Sequence, residues 1–412
     1  MGGQQFGAGT VLIDTRGLDR VLALDSVNGH LVVEGGIQWP AVLDFLATGQ
    51  HDRPRQWGIY QKQTGADRLT IAGALSCNAH GRGLTLPPIV GQIESFDMLT
   101  AAGEVLTCSR TQYPELFALA VGGYGLFGIV TLVTLRLRPR AKVRRIVDVV
   151  DTDGLMARFA QRAHDGFEYG DFQFAIDAND DAFLRRGVFS CYVPVPPGTP
   201  LTEHPVWFSP EDWASLLVDA HQHKSRAFHQ YAAGYLRTSG QIYWSDAQLS
   251  GNYLDDYHAD IDRELCCPTK GREMITELYV PRDRFEAFMD DSRRVLRERR
   301  ADVIYGTVRV IERDAETFLT WAREPYACIV LNLHVTHTAH DVAAAAGTFR
   351  DLIDVASHHG GSYYLTYHRW ARQDQVERCY PQMRAFLAAK RRYDPDELFQ
   401  SEWYRWHTGM LT

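Results

Sequence analysis

The chain has 412 residues, of which 45% are hydrophobic and 23% are charged. These values are typical of a globular protein with two or three domains. The formal net charge of −8 argues against a nucleic-acid partner. The seven cysteines form no C-x-x-C pair, a pattern that fits neither a disulfide framework nor a zinc site. Because no signal peptide opens the sequence, we expect a reducing, cytoplasmic location.

The first 140 residues are predicted to form short strands separated by glycine turns, with two short helices. Asn28-Gly29 and Ala102-Gly103 are the turns of two predicted hairpins. The pattern indicates an α+β fold rather than a regular β-α repeat. Strands are predicted at 10–13, 20–25, 30–34, 93–99, 104–108 and 128–138, and helices at 39–46 and 114–121.

Residues 116–135 contain no charge, which raises the question of a membrane span. Their glycines and their β-branched second half favour a buried strand after a glycine turn, so we predict no integral membrane segment. The same stretch contains Gly123-x-Gly125-x-x-Gly128, the spacing of a dinucleotide fingerprint. A helix precedes it and a strand follows, the reverse of what a phosphate-binding helix requires, which excludes a Rossmann nicotinamide site.

Residues 143–270 are the least informative, with polar and aromatic helices predicted around 210–235. From residue 275 the pattern predicts a four-stranded antiparallel sheet with both helices on one face. A helix at 375–390 and an aromatic tail at 399–407, which must pack on another part of the chain, complete the sequence. The strands of the sheet are predicted at 275–280, 303–311, 327–336 and 362–369, and its helices at 282–299 and 341–358.

The two faces of this predicted sheet differ in composition. One face is aliphatic and suits packing under the helices. The other is rich in Tyr, His, Asn and Arg, which favours a covered polar cavity over the common alternative of a solvated face. The polar face collects Glu277, Tyr279, Tyr305, Thr307, Arg309, Asn332, His334, Thr336, Tyr364, Thr366 and His368.

The segment 62–83 combines a glycine turn, a predicted short apolar strand and then His80-Gly81-x-Gly83. Small residues at this density let backbone amides approach a pyrophosphate or a flavin ring closely. A tight crossover in a packed core explains the same residues equally well.

This segment resembles the flavin-binding motif of the vanillyl-alcohol-oxidase family, whose FAD-binding domain is of the PCMH type. The resemblance continues through residues 97–104 and 115–130, and it covers about the first 140 and the last 50 residues. Bacterial sugar- and alditol-oxidising members, such as decaprenylphosphoryl-ribose oxidase, are similar in the spacing from Gly65 to Gly81 and in the terminal D-P-x-x-(L/V)-F.

The resemblance implies an FAD-binding domain in two parts, 1–140 and 371–412, interrupted by a substrate (cap) domain at 141–370. It implies non-covalent FAD, as far as this chain shows. Near the flavin pyrimidine it places Tyr380, Lys390 and Arg392, where a cation stabilises negative charge on the reduced ring. The implied flavin contacts are Gly65, Ala66, Leu69, Thr70, Ala72, Gly73, Ser76, Cys77, His80, Gly81, Ile129 and Val130.

Two departures from the family pattern stand out. Ala72-Gly73 replaces the usual Gly-Gly. Only the tail of the family's first flavin-binding loop, Gly2-Gly3-Gln4, is present, so we expect the sequence to begin inside the FAD domain.

The polar sheet face supplies the candidates for substrate chemistry. Arg309 can hold an anionic or polyol oxygen, and Glu277 with Tyr279 can bond hydroxyl groups. His334 or His368 can take the alcohol proton, with a structural histidine as the alternative for each. We therefore expect hydride transfer from an alcohol carbon of a sugar, polyol or lactone to flavin N5, with oxygen or another electron acceptor. An FAD-linked double-bond reductase and a non-catalytic flavoprotein are the alternatives.

Overall fold

The computed structural model describes residues 6–50, 53, 55–251 and 257–411. In these ranges the chain builds two large antiparallel sheets and a two-stranded pair. The strands are β1 (Val21–Asp25), β2 (His30–Glu34), β3 (Trp57–Gly58), β4 (Ile93–Leu99), β5 (Val105–Ser109), β6 (Ile129–Arg136), β7 (Arg138–Pro139), β8 (Lys142–Asp151), β9 (Tyr169–Phe174), β10 (Arg186–Pro194), β11 (Ile242–Trp244), β12 (Gly271–Pro281), β13 (Val303–Ile311), β14 (Tyr326–Thr336) and β15 (Ser362–Tyr363).

The helices cover the sheets and connect them. They are α1 (Trp39–Thr48), α2 (Ile71–Ser76), α3 (Pro114–Ala120), α4 (Leu155–His164), α5 (Pro210–Gln222), α6 (Lys224–Arg237), α7 (Tyr257–Glu264), α8 (Phe285–Glu298), α9 (Ala339–His358), α10 (Gln373–Cys379), α11 (Met383–Tyr393) and α12 (Glu402–Leu411).

The five-stranded sheet has the order β1-β2-β6-β4-β5. Both predicted hairpins are present, and Gly29 and Gly103 take the positive φ angles that their turns require. The uncharged stretch 116–135 is divided between α3 and β6, which confirms the buried-strand interpretation. No helix among the described residues is both long enough and apolar enough to cross a bilayer. The predicted strand at 10–13 is wrong, because these residues are exposed and pair with no strand.

The second sheet has eight strands in the order β11-β8-β10-β9-β13-β14-β12-β15. The four strands predicted from residue 275 onward lie side by side in it, as one half of the sheet. The strand predicted at 362–369 is wrong beyond Tyr363. The Tyr364 amide still donates to the Glu277 carbonyl of β12, and its hydroxyl donates to the Cys77 carbonyl at 2.6 Å, but residues 365–369 continue no strand in the described part of the chain.

Helices pack on both faces of this larger sheet. Helices α8 and α9 cover β12 and β14 on the aliphatic face, as the sequence predicts. Helices α5 and α6 approach the opposite face near β8, β10 and β13. Helix α5 begins sharply because Ser209 and Asp212 form a capping box and Pro210 occupies the first turn. The polar face is therefore covered, in agreement with the cavity prediction.

The C-terminal helices return to the five-stranded sheet. Trp403 of α12 stacks on Tyr124 at 4.5 Å between ring centroids, and Phe386 of α11 meets Phe127 at 5.3 Å. The aromatic tail thus packs on the N-terminal part of the chain, as expected. The single helix predicted at 375–390 is two helices, because Pro381 lies between α10 and α11 and cannot continue a helix.

Candidate functional site

The segment 62–83 is a loop, a short helix and a second loop. The apolar strand predicted within it is wrong, since these residues form α2. Thr70 caps the helix by accepting a hydrogen bond from the Gly73 amide at 3.0 Å. The Ala72 amide donates to the Gly35 carbonyl at 2.9 Å, which fastens α2 to the five-stranded sheet. Backbone close-packing, and not strand pairing, accounts for the small residues.

The loop before α2 forms one wall of a large cavity. Gly65 and Ala66 line this cavity. Gly65 has φ +77°, and no heavy atom lies within 4 Å of the position that a Cβ atom would take there. The Thr64 hydroxyl is buried and has no hydrogen-bond partner among the described residues. This wall therefore offers open space and an unsatisfied polar atom to a ligand.

The loop after α2 carries His80 to the eight-stranded sheet. Asn78 adopts a positive φ and is fixed on both sides, because its amide donates to Asp314 and its carbonyl oxygen accepts from the Val90 amide. His80 then reaches Glu277 on β12, with 2.5 Å between Nε2 and Oε1. The side chains of His80 and Glu277 are both almost completely buried at this point.

Three donors converge on one oxygen of Glu277. Oε1 accepts from His80 Nε2, from the Tyr279 hydroxyl at 2.7 Å and from the Cys328 thiol at 3.1 Å. Burial raises the pKa of Glu277, but His80 and these hydrogen bonds outweigh burial and hold the pKa below its usual range. Oε2 has no hydrogen-bond partner in the described part of the chain. Glu277 is therefore an ionised carboxylate with one free oxygen in the wall of the cavity.

Both ring nitrogens of His80 face oxygen atoms. Nε2 faces the Glu277 carboxylate, and Nδ1 lies 3.1 Å from the Gly81 carbonyl oxygen. Both neighbours are acceptors, so each ring nitrogen is placed to donate a hydrogen bond. Burial raises the pKa of the Cys328 thiol beside this pair, which keeps the sulfur protonated.

The cavity has a volume of about 800 Å³, within the range of small-molecule sites. Arg309 enters it from β13, is 6% exposed and has no hydrogen-bond or ion-pair partner among the described residues. A buried guanidinium without a partner is costly, and this one is positioned to receive a ligand oxygen. Helices α5 and α6 and the loop before them cover the cavity with aromatic side chains, namely Trp207, Phe208, Trp213, Phe228, Tyr231 and Tyr235.

Two more buried arginines line the cavity, and neither is among the residues predicted from the sequence. Arg82 donates to the Gln248 side chain at 2.7 Å and lies 3.4 Å from Asp171. Arg145 donates to Ser190 and stacks on Tyr235, with 4.3 Å to the ring centroid. The position of Arg82 inside His80-Gly-Arg-Gly83 was a usable signal, since charged side chains are rare in tight glycine loops. Arg145 lies in the stretch that showed no pattern.

The two histidines proposed as proton acceptors lie outside this cavity. His334 is on the same face of β14 as Asn332, but farther along the strand, where its ring meets His221 of α5 at 4.9 Å. His368 lies on the opposite face, between Thr276 and Phe349 of α9. The expected shared face is therefore wrong for His368, because the chain leaves the sheet after Tyr363 and the strand alternation no longer applies.

The three C-terminal candidates are also remote from the cavity wall. Lys390 is fully buried in an ion pair with Asp394 and packs against Tyr404. The Tyr380 hydroxyl donates to the Tyr363 carbonyl within the core. Arg392 is exposed and pairs with Glu115. Each side chain is held by a protein partner, and none of the three lines the cavity.

The remaining predicted cofactor residues pack around α2. Leu69 lies over Gly73, the Ser76 carbonyl accepts from the Tyr124 amide, and the Gly81 amide donates to Gln61. On β6, Ile129 is half-buried and the Val130 carbonyl lies where a side chain at Gly35 would be. Of the implied flavin contacts, Gly65, Ala66 and His80 line the cavity.

These observations provide a test of whether the residues fit FAD. A flavin needs a flat space with close backbone, polar partners for its ring edge and a positive charge nearby. The open space at Gly65, the unsatisfied Thr64 hydroxyl and the unpaired Arg309 meet those needs. The residues fit the cofactor, and 63–66 with His80 would be among those that hold it.

Comparison with known proteins supports the same cofactor. Residues 1–109 match the family described as FAD binding domain. Cytokinin dehydrogenase 6 of Oryza sativa subsp. japonica is 33% identical over 193 residues, which are 42% of this chain and 35% of the rice protein. The aligned part is thus about a third of that relative's length.

Two lactone dehydrogenases are also similar. L-gulono-1,4-lactone dehydrogenase of Mycobacterium tuberculosis (strain ATCC 25618 / H37Rv) is 24% identical over 397 residues, 96% of this chain and 85% of that protein. Mitochondrial L-galactono-1,4-lactone dehydrogenase of Arabidopsis thaliana is 32% identical over 120 residues, 29% of this chain and 18% of the plant protein. The matched domain, the motif around α2 and these relatives support an FAD-dependent oxidoreductase with an FAD-binding domain of the PCMH type.

Proposed function

We propose that the protein oxidises an alcohol carbon of a sugar, polyol or lactone-like substrate, with FAD as hydride acceptor. In this proposal residues 1–140 and 371–412 hold the cofactor and residues 141–370 cover the substrate. The observation that carries it is the ionised Glu277, whose free Oε2 shares a cavity with the flavin-side residues Gly65 and Ala66. FAD, when bound there, supplies the two-electron chemistry.

Glu277 is the group proposed to take the hydroxyl proton. Both ring nitrogens of His80 face protein acceptors, so neither is placed to receive a proton from the substrate. Glu277 Oε2 is free, and its carboxylate is ionised throughout the neutral pH range. A carbonyl oxygen that still carries its proton after hydride loss is a strong acid, so a carboxylate of lowered pKa is basic enough to remove that proton. His80 then stabilises the carboxylate position.

The arginines and the aromatic cover are proposed to position the substrate. Arg309, which has no protein partner among the described residues, would donate to a ring or carboxyl oxygen. The aromatic side chains of α5 and α6 would exclude water and pack on the apolar face of a sugar ring. A sugar-like substrate suits this combination of several polar donors and flat apolar surface.

The relatives favour a lactone or sugar over a cytokinin. The lactone dehydrogenase of Mycobacterium tuberculosis aligns over 96% of this chain, including the part that forms the cavity cover. The rice cytokinin dehydrogenase aligns over 42%. The substrate-binding part of the chain is therefore better represented by the lactone enzyme.

Anaerobic flavin reduction tests the proposal. Aldono-1,4-lactones, alditols and cytokinins would be mixed in turn with the FAD-loaded protein while the flavin absorbance is followed. We expect bleaching by at least one lactone or polyol, and its recovery in air or with an acceptor dye. Bleaching by NAD(P)H followed by recovery with an enone would instead indicate a double-bond reductase. No bleaching by any compound would indicate a non-catalytic flavoprotein.

A further inference from the structure

A group of metal-ligating side chains lies at the edge of the cavity, where Glu273 forms part of the wall. It consists of His221 on α5, Glu273 on β12 and His334 on β14, and their ligating atoms all lie within 4.8 Å of one another. Glu273 and His334 are direct neighbours across the strand pair, and α5 brings His221 over them. None of the three belongs to the Glu277–His80 pair.

One ligating atom of each residue has no hydrogen-bond partner among the described residues. His221 Nδ1 donates to the Leu217 carbonyl at 2.7 Å, so the neutral ring carries its lone pair on Nε2. That nitrogen faces Glu273 Oε1 at 3.4 Å. The His221 and Glu273 side chains are only 2% and 4% exposed. His221 Nε2, Glu273 Oε1 and His334 Nδ1 are all buried and make no hydrogen bond within the described ranges.

Hydrogen bonds with neighbouring residues hold Glu273 and His221 in place, as outer-sphere hydrogen bonds hold the ligands of a metal ion. Glu273 Oε2 accepts from the Tyr257 hydroxyl and lies 2.7 Å from His258 Nδ1. The backbone bond at His221 Nδ1 fixes the tautomer that leaves Nε2 free, a common outer-sphere contact of metal-bound histidine.

A proton on His221 is the simplest alternative to a metal ion. One proton would satisfy the His221–Glu273 pair and leave His334 Nδ1 without a partner. A divalent cation satisfies all three atoms at once.

We propose that His221, Glu273 and His334 bind one divalent transition-metal ion, for which Zn²⁺ is the best match, and that this ion fastens α5 to the sheet. Two imidazoles and one carboxylate form a frequent zinc donor set. Bonds of about 2.0–2.2 Å place tetrahedral ligands about 3.3–3.6 Å apart, and the His221–Glu273 separation of 3.4 Å lies in that range. The wider separations in the group would close by roughly 1 Å on binding.

Zinc content provides the test. The full-length FAD-loaded protein would be stripped with a chelator, equilibrated with buffered micromolar Zn²⁺, and analysed by mass spectrometry of the metal. We expect one Zn²⁺ per chain in the wild type and a melting temperature that rises with Zn²⁺. His221→Gln and His334→Gln should weaken Zn²⁺ binding at least about tenfold. Loss of an outer-sphere contact alone lowers metal affinity about 10–100-fold, and these variants remove a direct ligand. His359→Gln, which removes a histidine paired with Asp291 elsewhere, should retain the zinc.

Folding of each variant would be checked by its flavin absorbance and circular dichroism. If a histidine variant fails to fold, Glu273→Gln replaces it, because the amide retains an oxygen for the Tyr257 hydrogen bond. Less than a tenth of an equivalent of Zn²⁺ in the wild type would overturn the proposal. Equal zinc content in the wild type and the folded ligand variants would also overturn it.

Discussion

At the scale of single residues, the most unusual side chain is Arg309, a guanidinium buried in the cavity wall without a protein partner among the described residues. Tyr305 on the same strand also faces the cavity, and Glu277 and Arg82 stand in the walls around it. A permanent charge in this position is stabilised only by a ligand oxygen or by enclosed water. Arg309 is therefore the residue that we propose to bind a ligand oxygen.

Replacing Arg309 should therefore weaken substrate binding more than it weakens the fold. Arg309→Ala should raise the apparent dissociation constant about 10–100-fold, the equivalent of a charged hydrogen bond of 1.5–3 kcal/mol. Stopped-flow flavin reduction at varied substrate concentration measures it. Arg185→Ala, an exposed arginine paired with Asp290, is the control and should change nothing. Unchanged affinity in Arg309→Ala would show that the guanidinium does not reach the substrate.

Residue selection from the sequence succeeded where a strand kept its alternation. Glu277 and Arg309 were expected on one polar face, and both line the cavity. His368 was assigned by extending the last strand through a segment that has left the sheet, and alternation has no meaning there. Cys328 lies beside the Glu277–His80 pair, but a single cysteine in an apolar strand is usually only a packed core residue.

At the scale of elements, the loop 63–66 and helix α2 connect the five-stranded sheet to the cavity. The composition of the segment predicted close backbone approach, and the Ala72–Gly35 contact shows it. An apolar run of this length does not distinguish a strand from a short helix. Tertiary contacts decide that residues 71–76 form the helix α2. The left-handed Gly65 is the position at which a side chain would enter the cavity.

Gly65→Val should lower flavin content several-fold. A β-branched residue is strained at φ +77° and would also occupy space beside the proposed flavin. Gly103→Val is a matched control, because Gly103 has φ +80° and open space around it but lies in the turn of an exposed hairpin. Both variants carry the strain, and only the first should lose the flavin's visible absorbance. Equal loss in both variants would mean that strain alone releases the cofactor.

Helix α9 should make the fold sensitive to acid through His368. Burial against this helix lowers the pKa of His368 to about 3, compared with an ordinary value of 6.5. The unfolded chain therefore takes up this proton first as the pH falls below 6.5, and stability is lost in the acid direction. At pH 5 the protonation of this residue in the unfolded chain lowers the free energy of unfolding by about 2 kcal/mol.

Urea unfolding at pH 7 and pH 5 measures this contribution. Between pH 7 and pH 5 the free energy of unfolding should fall by about 2 kcal/mol more in the wild type than in His368→Phe. The phenylalanine ring fits between Phe349 and Trp370 and does not titrate. An equal loss in both proteins would mean that His368 remains accessible to protons in the folded state.

At the scale of the whole molecule, the cavity exists because the eight-stranded sheet, helices α5 and α6 and the loops that flank α2 meet around it. The sequence predicted the aliphatic side of the larger sheet, since β12, β13 and β14 have regular alternation. It did not predict the partner half, β8 to β11, because β9 and β10 are buried on both faces and have no alternation to read. The sequence also did not predict that α5 and α6 cover the cavity, because these helices contact strands that are distant in the sequence.

The FAD should be released from the intact protein by acid. No residue among the flavin-side cavity wall, Gly65, Ala66 and His80, offers a covalent link, since His80 is committed to Glu277 and Gly81. Precipitation with trichloroacetic acid should leave a colourless pellet and FAD in the supernatant. A yellow pellet would contradict the non-covalent expectation.

Glu277 is proposed to take the hydroxyl proton of a substrate that bound FAD would oxidise. Anaerobic single-turnover reduction of wild type and Glu277→Gln by the best substrate tests it most directly. The amide has the shape of the carboxylate but is not a base, so flavin reduction should slow about 100-fold or more while flavin content stays normal. Reduction of the variant at the wild-type rate, with full flavin occupancy, would contradict the claim.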